Sequence, residues 1–265
     1  MQFPNSAARL SYVQGLAKAI SANAGVRVEG LSFTNMAKLS RSRADFAIID
    51  AQCYATKLNW PILASARIGG STSRSWALYS RLGSKLSDLR DKKLAYVRTG
   101  CNDSDFIDNA MFESEVDGRF FAARVNKTDL NGAVAEVATY RGAHAVFAPR
   151  GSQKGLSKVF DTGPVPNPAF VQLNSRLSDQ LVAAVRKAVV GYGGAGAIEG
   201  WARGDDQPYR ALRGRMGKRV KRAIFASPEP VGIDSQAVLE EPSTLGEIAF
   251  PQLRQNFEKP PERQE

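Results

Sequence analysis

Helical and extended patterns alternate along most of this chain with short connections between them, and that alternation narrows the fold more than any single motif does. Residues 8–24 place Leu10, Val13, Leu16, Ala17 and Ile20 on one helical stripe, with Asn5 or Ser6 as N-cap and Gly25 as the stop. Residues 26–32 read as a short strand, 35–42 as a short helix, and 45–50 as a buried, β-branched strand of the parallel type. Further strands are expected at 61–68, 76–81, 93–98, 120–125, 143–148 and 169–174. Helices are expected at 130–140 and 178–190, one turn at 86–89, and a helix beginning near Asn102–Ser104. Glycine-rich 191–200 reads as a helix terminus or loop. Such βα alternation predicts a mostly parallel α/β fold. In that class ligands sit at the carboxyl ends of strands, here 50–54, 98–103 and 148–151.

Composition and charge remove several functions. The 265 residues are 43% hydrophobic and 23% charged, a globular balance that excludes general disorder. No run approaches the roughly 18 apolar residues of a membrane helix. The N-terminus lacks a charged region followed by an apolar one, so the expectation is a cytosolic protein or one whose signal sequence has been removed. The net charge of +10 is uneven. Residues 227–265 hold eight acids and three bases, and the remainder 33 bases and 18 acids. A basic body suits nucleic acid, an anionic surface or an anionic small ligand. Nucleic acid is disfavoured, because no zinc-ligand spacing, RNP-like strand or helix-turn-helix is present.

Catalytic signatures are absent too. There is one histidine, His144, in an apolar run that reads as a buried strand start, where it serves a structural role. The chain has no GxSxG, P-loop or GxGxxG after a strand, and no metal or cofactor is expected. Cys53 and Cys101 lack an accompanying base at sensible spacing, so enzyme chemistry on a cysteine is the weakest reading.

Beyond residue 204 the character changes. Residues 210–222 carry seven bases and no acid, leaving Leu212, Met216 and Val220 on one face of a helix. A solvated terminal helix is one reading and a site for an acidic partner or membrane head groups the other. From Ser227 the chain has six prolines and scattered acids, the composition of an extended tail.

The order of these segments resembles the phosphate/phosphonate-type solute-binding proteins of ABC importers, which have the type II periplasmic binding protein fold. Their motif of Asp, Phe or Val, Ala, two apolar residues, Gly-Pro and a later Tyr is matched by Asp45-Phe46-Ala47-Ile48-Ile49-Asp50-Ala51-Gln52-Cys53-Tyr54. The Ser/Arg-bearing hinge strand and the segment after it are similar to residues 73–97. A Ser/Thr-rich turn that opens a helix corresponds to Thr99-Gly100-Cys101-Asn102-Asp103-Ser104. Residues 133–149 and 163–189 resemble the family's next helix–strand pair and its return hinge strand with final helix. The likeness spans roughly residues 8–212.

The resemblance implies two α/β lobes joined by hinge strands: lobe 1 from 1–76 and 174–225, lobe 2 from 80–168, with an extended acidic, Pro-rich tail at 226–265. It implies a non-catalytic solute-binding protein that captures a small anionic or zwitterionic ligand between the lobes, for an ABC importer or a sensor. Periplasmic or extracytoplasmic location would follow. The implied partners are the small ligand, ABC transporter membrane subunits, and another protein through the tail. The ligand-binding set is Asp50, Gln52, Tyr54, Ser73, Arg74, Thr99, Cys101, Asn102 and Ser104. Thr99 and Ser104 have N-capping as their plain alternative. An alternative function is a repurposed binding-protein fold, acting as an interaction subunit through its basic helix and tail.

Departures from the family pattern qualify the ligand. Gly-Pro is replaced by Asp50-Ala51, and the turn carries Cys101, Asn102 and two acids, Asp103 and Asp105. Donors expected for a phosphonate are therefore missing or opposed by charge, which shifts the expectation toward a cationic or zwitterionic ligand. Cys53 and Cys101 fall at strand ends in different lobes. A disulfide between them would staple the cleft, and needs Cα atoms within about 7 Å. Two unpaired, partly buried thiols are the ordinary alternative.

Overall fold

A computed structural model describes residues 6–33, 36–116, 118–151, 155–194 and 196–218. The expected tail, 226–265, and Val220 of the basic face lie outside the described residues. Two sheets organise the chain. The first contains β1 (Phe46–Ile49), β2 (Ile62–Arg67), β8 (Ala169–Gln172) and β9 (Gly200–Arg203) in the order β1-β8-β2-β9. The second contains β3 (Ser73–Ser80), β4 (Lys93–Val97), β5 (Ala123–Lys127), β6 (Ala145–Pro149) and β7 (Ser157–Pro166) in the order β5-β4-β6-β3-β7.

The mostly parallel expectation is corrected. Every pairing in the first sheet is antiparallel, and in the second only β4–β5 and β4–β6 are parallel. The reason is topological. β1 and β2 run the same way, joined through the short helix α3 (Ala51–Ala55), but β8 returns from the second sheet and inserts between them in the opposite direction. β7 and β9 lack a clear period-2 pattern, so the sequence does not mark them as strands. The strand expected at 120–125 begins at Ala123 instead.

A further correction concerns residues 26–32, which form no strand. Extended backbone becomes a strand only beside a partner ladder, and none of the described residues pairs with this stretch. Helix α1 (Ser6–Ala24) buries Tyr12, Leu16, Ala17 and Ile20, whereas Leu10 of the expected stripe is exposed. α1 packs on α6 (Asp179–Val190), whose Ser178 cap accepts from Leu181 N. Trp201 Nε1 donates to Tyr12 Oη at 2.9 Å, so the core of the first lobe satisfies its one buried indole.

The chain crosses between sheets at 68–72 and 167–168, and the two crossings are tied together. Asn167 N donates to Thr72 O, and Asn167 Nδ2 donates to Ala66 O and Ser71 O. Gly69 and Gly70, at φ +62° and +74°, donate their N–H groups to the Glu199 carboxylate, a left-handed turn that glycine adopts without strain.

α7 (Gln207–Met216) clasps both lobes. Tyr209 Oη donates to Asn167 O at 2.8 Å, Arg215 donates to Pro164 O at 2.7 Å, and Asn109 Nδ2 donates to Met216 O at 2.8 Å. Tyr209, Leu212 and Met216 join a continuous core running from Ile49 and Tyr54 to Leu78, Phe112 and Phe147. The basic segment is therefore, in its described part, an internal brace with an exposed basic side. Burial lowers the Arg215 pKa, with nearby Glu113 opposing that shift.

Candidate functional site

The carboxyl ends of β1 and β4 face each other across the two lobes, as α/β folds dictate. From β1 the chain turns at Asp50 into α3, and from β4 it enters the turn 99–102. Between them lies a cavity of about 100 Å³. Asp50, Gln52, Thr99 and Asp103 form its polar side, and Trp76, Tyr96, Phe106 and Phe147 its aromatic walls. The volume is below that of a benzene-sized engineered cavity of about 150 Å³, so only a small ligand or several waters fit.

Asp103 is the centre of the turn. Thr99 Oγ1 donates to its Oδ1 at 2.6 Å, Thr99 N to Oδ1 at 3.1 Å, Gly100 N to Oδ2 at 3.0 Å, and Gln52 Nε2 to Oδ1 at 2.7 Å. Burial works to raise the Asp103 pKa, yet these four bonds to the charged form outweigh it and hold the carboxyl below its ordinary value. The backbone donors that would greet a bound anion are thus occupied by the chain's own carboxylate. Gln52 Nε2 also donates to Cys101 O at 2.7 Å, linking the lobes.

Cys53 and Cys101 are disulfide-bonded, with Cα atoms 5.0 Å apart. This corrects the alternative of two free thiols. The physical reason is the approach of α3 to the turn 99–102, which Gln52 holds from one residue away. Cys101 is thus a crosslink, without a titrating thiol for a ligand.

The nine predicted ligand-binding residues do not all converge. Asp50, Gln52 and Thr99 line the cavity, and Cys101 lies beside it in the disulfide. Tyr54 is 1% exposed, turned into the core, where its hydroxyl donates to Trp60 O at 3.0 Å and its ring meets Tyr209 edge-on. Ser73 and Arg74 begin β3 at the crossing, and the Arg74 guanidinium has its pKa lowered by burial, with Glu199 opposing that shift. Asn102 and Ser104 are exposed, Asn102 in a left-handed conformation at φ 54°. The expected helix from 102 is one short turn, α4 (Asp103–Asp105), running into a wider coil over Phe106–Met111.

In the sequence Asp103 reads only as an opposing charge, and Trp76, Tyr96, Phe106 and Phe147 do not stand out as site residues. A signal for the first existed: a Thr four residues before an Asp across a Gly-containing turn is a spacing at which hydroxyl and carboxylate meet. The aromatic walls had none, because they come from four separate elements.

No family model matches the chain, and no curated protein shows significant similarity to it. Solved structures do. The binding-protein component of an ABC phosphonate transporter from Pseudomonas aeruginosa superposes with TM-score 0.62 at 15% identity, over 80% of this chain and 84% of that one. PhnD1 from Prochlorococcus marinus, in complex with methylphosphonate, gives 0.61 at 11% identity, covering 80% and 94%. XAC2383 from Xanthomonas citri, bound to ATP, gives 0.61 at 12% identity, covering 77% and 92%. At such identities the shared property is architecture. The chain has the two-lobed α/β fold of type II periplasmic binding proteins.

Proposed function

We propose that the chain is a non-catalytic solute-binding protein that captures a small polar ligand between its lobes, in the service of an ABC importer or a sensor. With the crossings at 68–72 and 167–168, the first lobe carries β1, β2, β8 and β9 and the second β3 to β7. The expected bounds of 1–76 with 174–225 and of 80–168 shift accordingly, because β3 starts at Ser73 in the second sheet and β8 belongs to the first. The carrying observation is the interlobe cavity, which joins a carboxylate-rich polar side to aromatic walls. Its chemistry favours a ligand with a donor end. Asp50 and Asp103 supply acceptors, and Trp76, Tyr96, Phe106 and Phe147 offer faces that attract a protonated amine. A bare phosphonate would find the turn donors already bonded to Asp103. A small amine or zwitterion is the better match. The proposed binding set is Asp50, Gln52, Thr99 and Asp103, with Arg74 and Ser73 acting at the crossing.

An extracytoplasmic site of action is supported by the Cys53–Cys101 disulfide, since such crosslinks persist where the surroundings oxidise. Among the described residues no helix is long and apolar enough to cross a membrane, so partnership with transporter membrane subunits would be made from outside the bilayer.

A thermal-shift screen with small amines, amino acids, phosphate and methylphosphonate, run with and without reductant, tests the reading. A ligand of the closed form raises Tm by mass action. Stabilisation by an amine or amino acid that is lost in Asp50→Ala is expected. A flat screen under both conditions overturns the proposal.

A further inference from the structure

β3 has two faces with different neighbours. Side chains alternate along a strand, so Arg74, Trp76 and Leu78 share one face and Ala77 and Tyr79 the other. Leu78 belongs to the core that runs through both lobes, with Trp76 packed against it, whereas Ala77 and Tyr79 pack in a separate core of the second lobe. Trp76 is part of the wall of the interlobe cavity. Arg74 lies two residues nearer the crossing on the same face, about 7 Å away at Cα, which is within the reach of an arginine side chain.

This face carries two buried donors without acceptors. Trp76 Nε1 and Arg74 Nε are both enclosed and make no hydrogen bond. A donor buried in this way forfeits the bond it made with water, and such groups are rare in folded proteins. The fold does supply an acceptor where an indole is only structural, as Trp201 Nε1 donating to Tyr12 Oη shows. Glu199, whose charge acts on Arg74, is spent on the Gly69 and Gly70 amides. The acidic side of the cavity is the reverse case, since Asp103 accepts four hydrogen bonds.

We propose that Trp76 and Arg74 form a carboxylate subsite, and that the ligand of the cleft is a small amino-acid zwitterion. The inference rests on the reading of the cleft as a ligand site. The ammonium lies toward Asp50 and Asp103, and the carboxylate accepts from the Trp76 indole and the Arg74 guanidinium. A simple amine would leave both donors unpaired. A simple carboxylic acid would bring its charge beside Asp50 and Asp103 with no cation between. Two donors match the two oxygens of a carboxylate. The third oxygen of a phosphonate would need the turn amides that Asp103 already holds. A cavity of about 100 Å³ sets the size.

The test is calorimetric titration of the full chain with alanine, ethylamine, propionate and 1-aminoethylphosphonate. Alanine is expected to bind about tenfold more tightly than each of the others, the worth of one hydrogen bond to a charged group. Trp76→Phe keeps a ring in the wall and removes only the donor, so the preference for alanine over ethylamine should fall about tenfold. In the proton spectrum of the parent chain, the indole N–H signal missing from that variant should shift with alanine and stay in place with ethylamine. If Trp76→Phe does not fold, Arg74→Met reads the same loss of preference. Ethylamine binding as tightly as alanine, or a preference unchanged in the variants, overturns the subsite and leaves amine capture between the lobes standing. Tighter binding of 1-aminoethylphosphonate than of alanine also overturns it. Binding of none of the four compounds removes the ligand reading of the cleft, and the subsite with it.

Discussion

The interlobe cleft and the groove beside β1 share Asp50, Val97 and Thr99 as lining residues, yet they are opposites in hydrogen bonding. On the acidic side of the cleft the chain has satisfied itself: Asp103 occupies the donors of the turn, Gln52 bridges the lobes, and a disulfide closes the gap. In the groove, among the described residues, β1 has no ladder on its outer side, beside a cavity more than five times larger. The lesson is that a site is defined by what remains unpaired as much as by what surrounds it. A ligand of the cleft competes with internal bonds.

The largest expected effect breaks the self-satisfaction of the cleft. The double variant Cys53→Ala/Cys101→Ala releases a crosslink of sequence separation 48. By the chain-entropy estimate it costs about 4 kcal/mol, read as a lower urea midpoint. An unchanged midpoint would mean that α7 and the shared core hold the lobes unaided.

Asp103→Ala comes next. It frees the Thr99 and Gly100 amides and should cost about 1–2 kcal/mol, as expected for losing hydrogen bonds to a charged acceptor beside solvent. The same variant should gain stabilisation from methylphosphonate that the parent chain lacks. If it gains none, the internal carboxylate is not what excludes anions.

The pH dependence of that carboxylate is smaller. Its folded-state pKa lies below the ordinary value, about 3.9 when unfolded, so the unfolded state binds the proton first as pH falls. The stability it contributes is present above about pH 4 and lost as pH drops through the lower folded value. The Tm difference between the parent chain and Asp103→Asn should therefore shrink on acidification below about pH 4. A constant difference would assign the effect to shape instead of charge.

The smallest effect lies remote from both regions and serves as a control. His144 Nδ1 accepts from Lys93 N at 3.2 Å, and burial, with Lys92 and Lys93 nearby, lowers its pKa. Its neutral form is favoured on folding, so its contribution is present above about pH 6.5 and declines as pH falls through the lower folded value. His144→Gln should flatten the Tm profile slightly in that window and leave the ligand response untouched.

Local signals carried far in this molecule. The helical stripe of residues 8–24, the buried run at 46–49, the Ser178 cap and the helix from Leu130 all stand near where periodicity and capping put them. Such features depend on residues within one or two turns of each other, and the chain contains all of their causes. The ordered series of weak motifs likewise carried the two-lobed fold, because order along the chain survives when individual motifs decay. What the sequence left open was decided across space. Whether Cys53 meets Cys101 depends on how closely α3 approaches the turn after β4, and whether Tyr54 faces ligand or core depends on Tyr209, 155 positions on. Residues 26–32 have the pattern of a strand and become none, since a strand exists only as half of a pair. Periodicity states what a segment can bury; only the assembled neighbours state which backbone groups and side chains find partners.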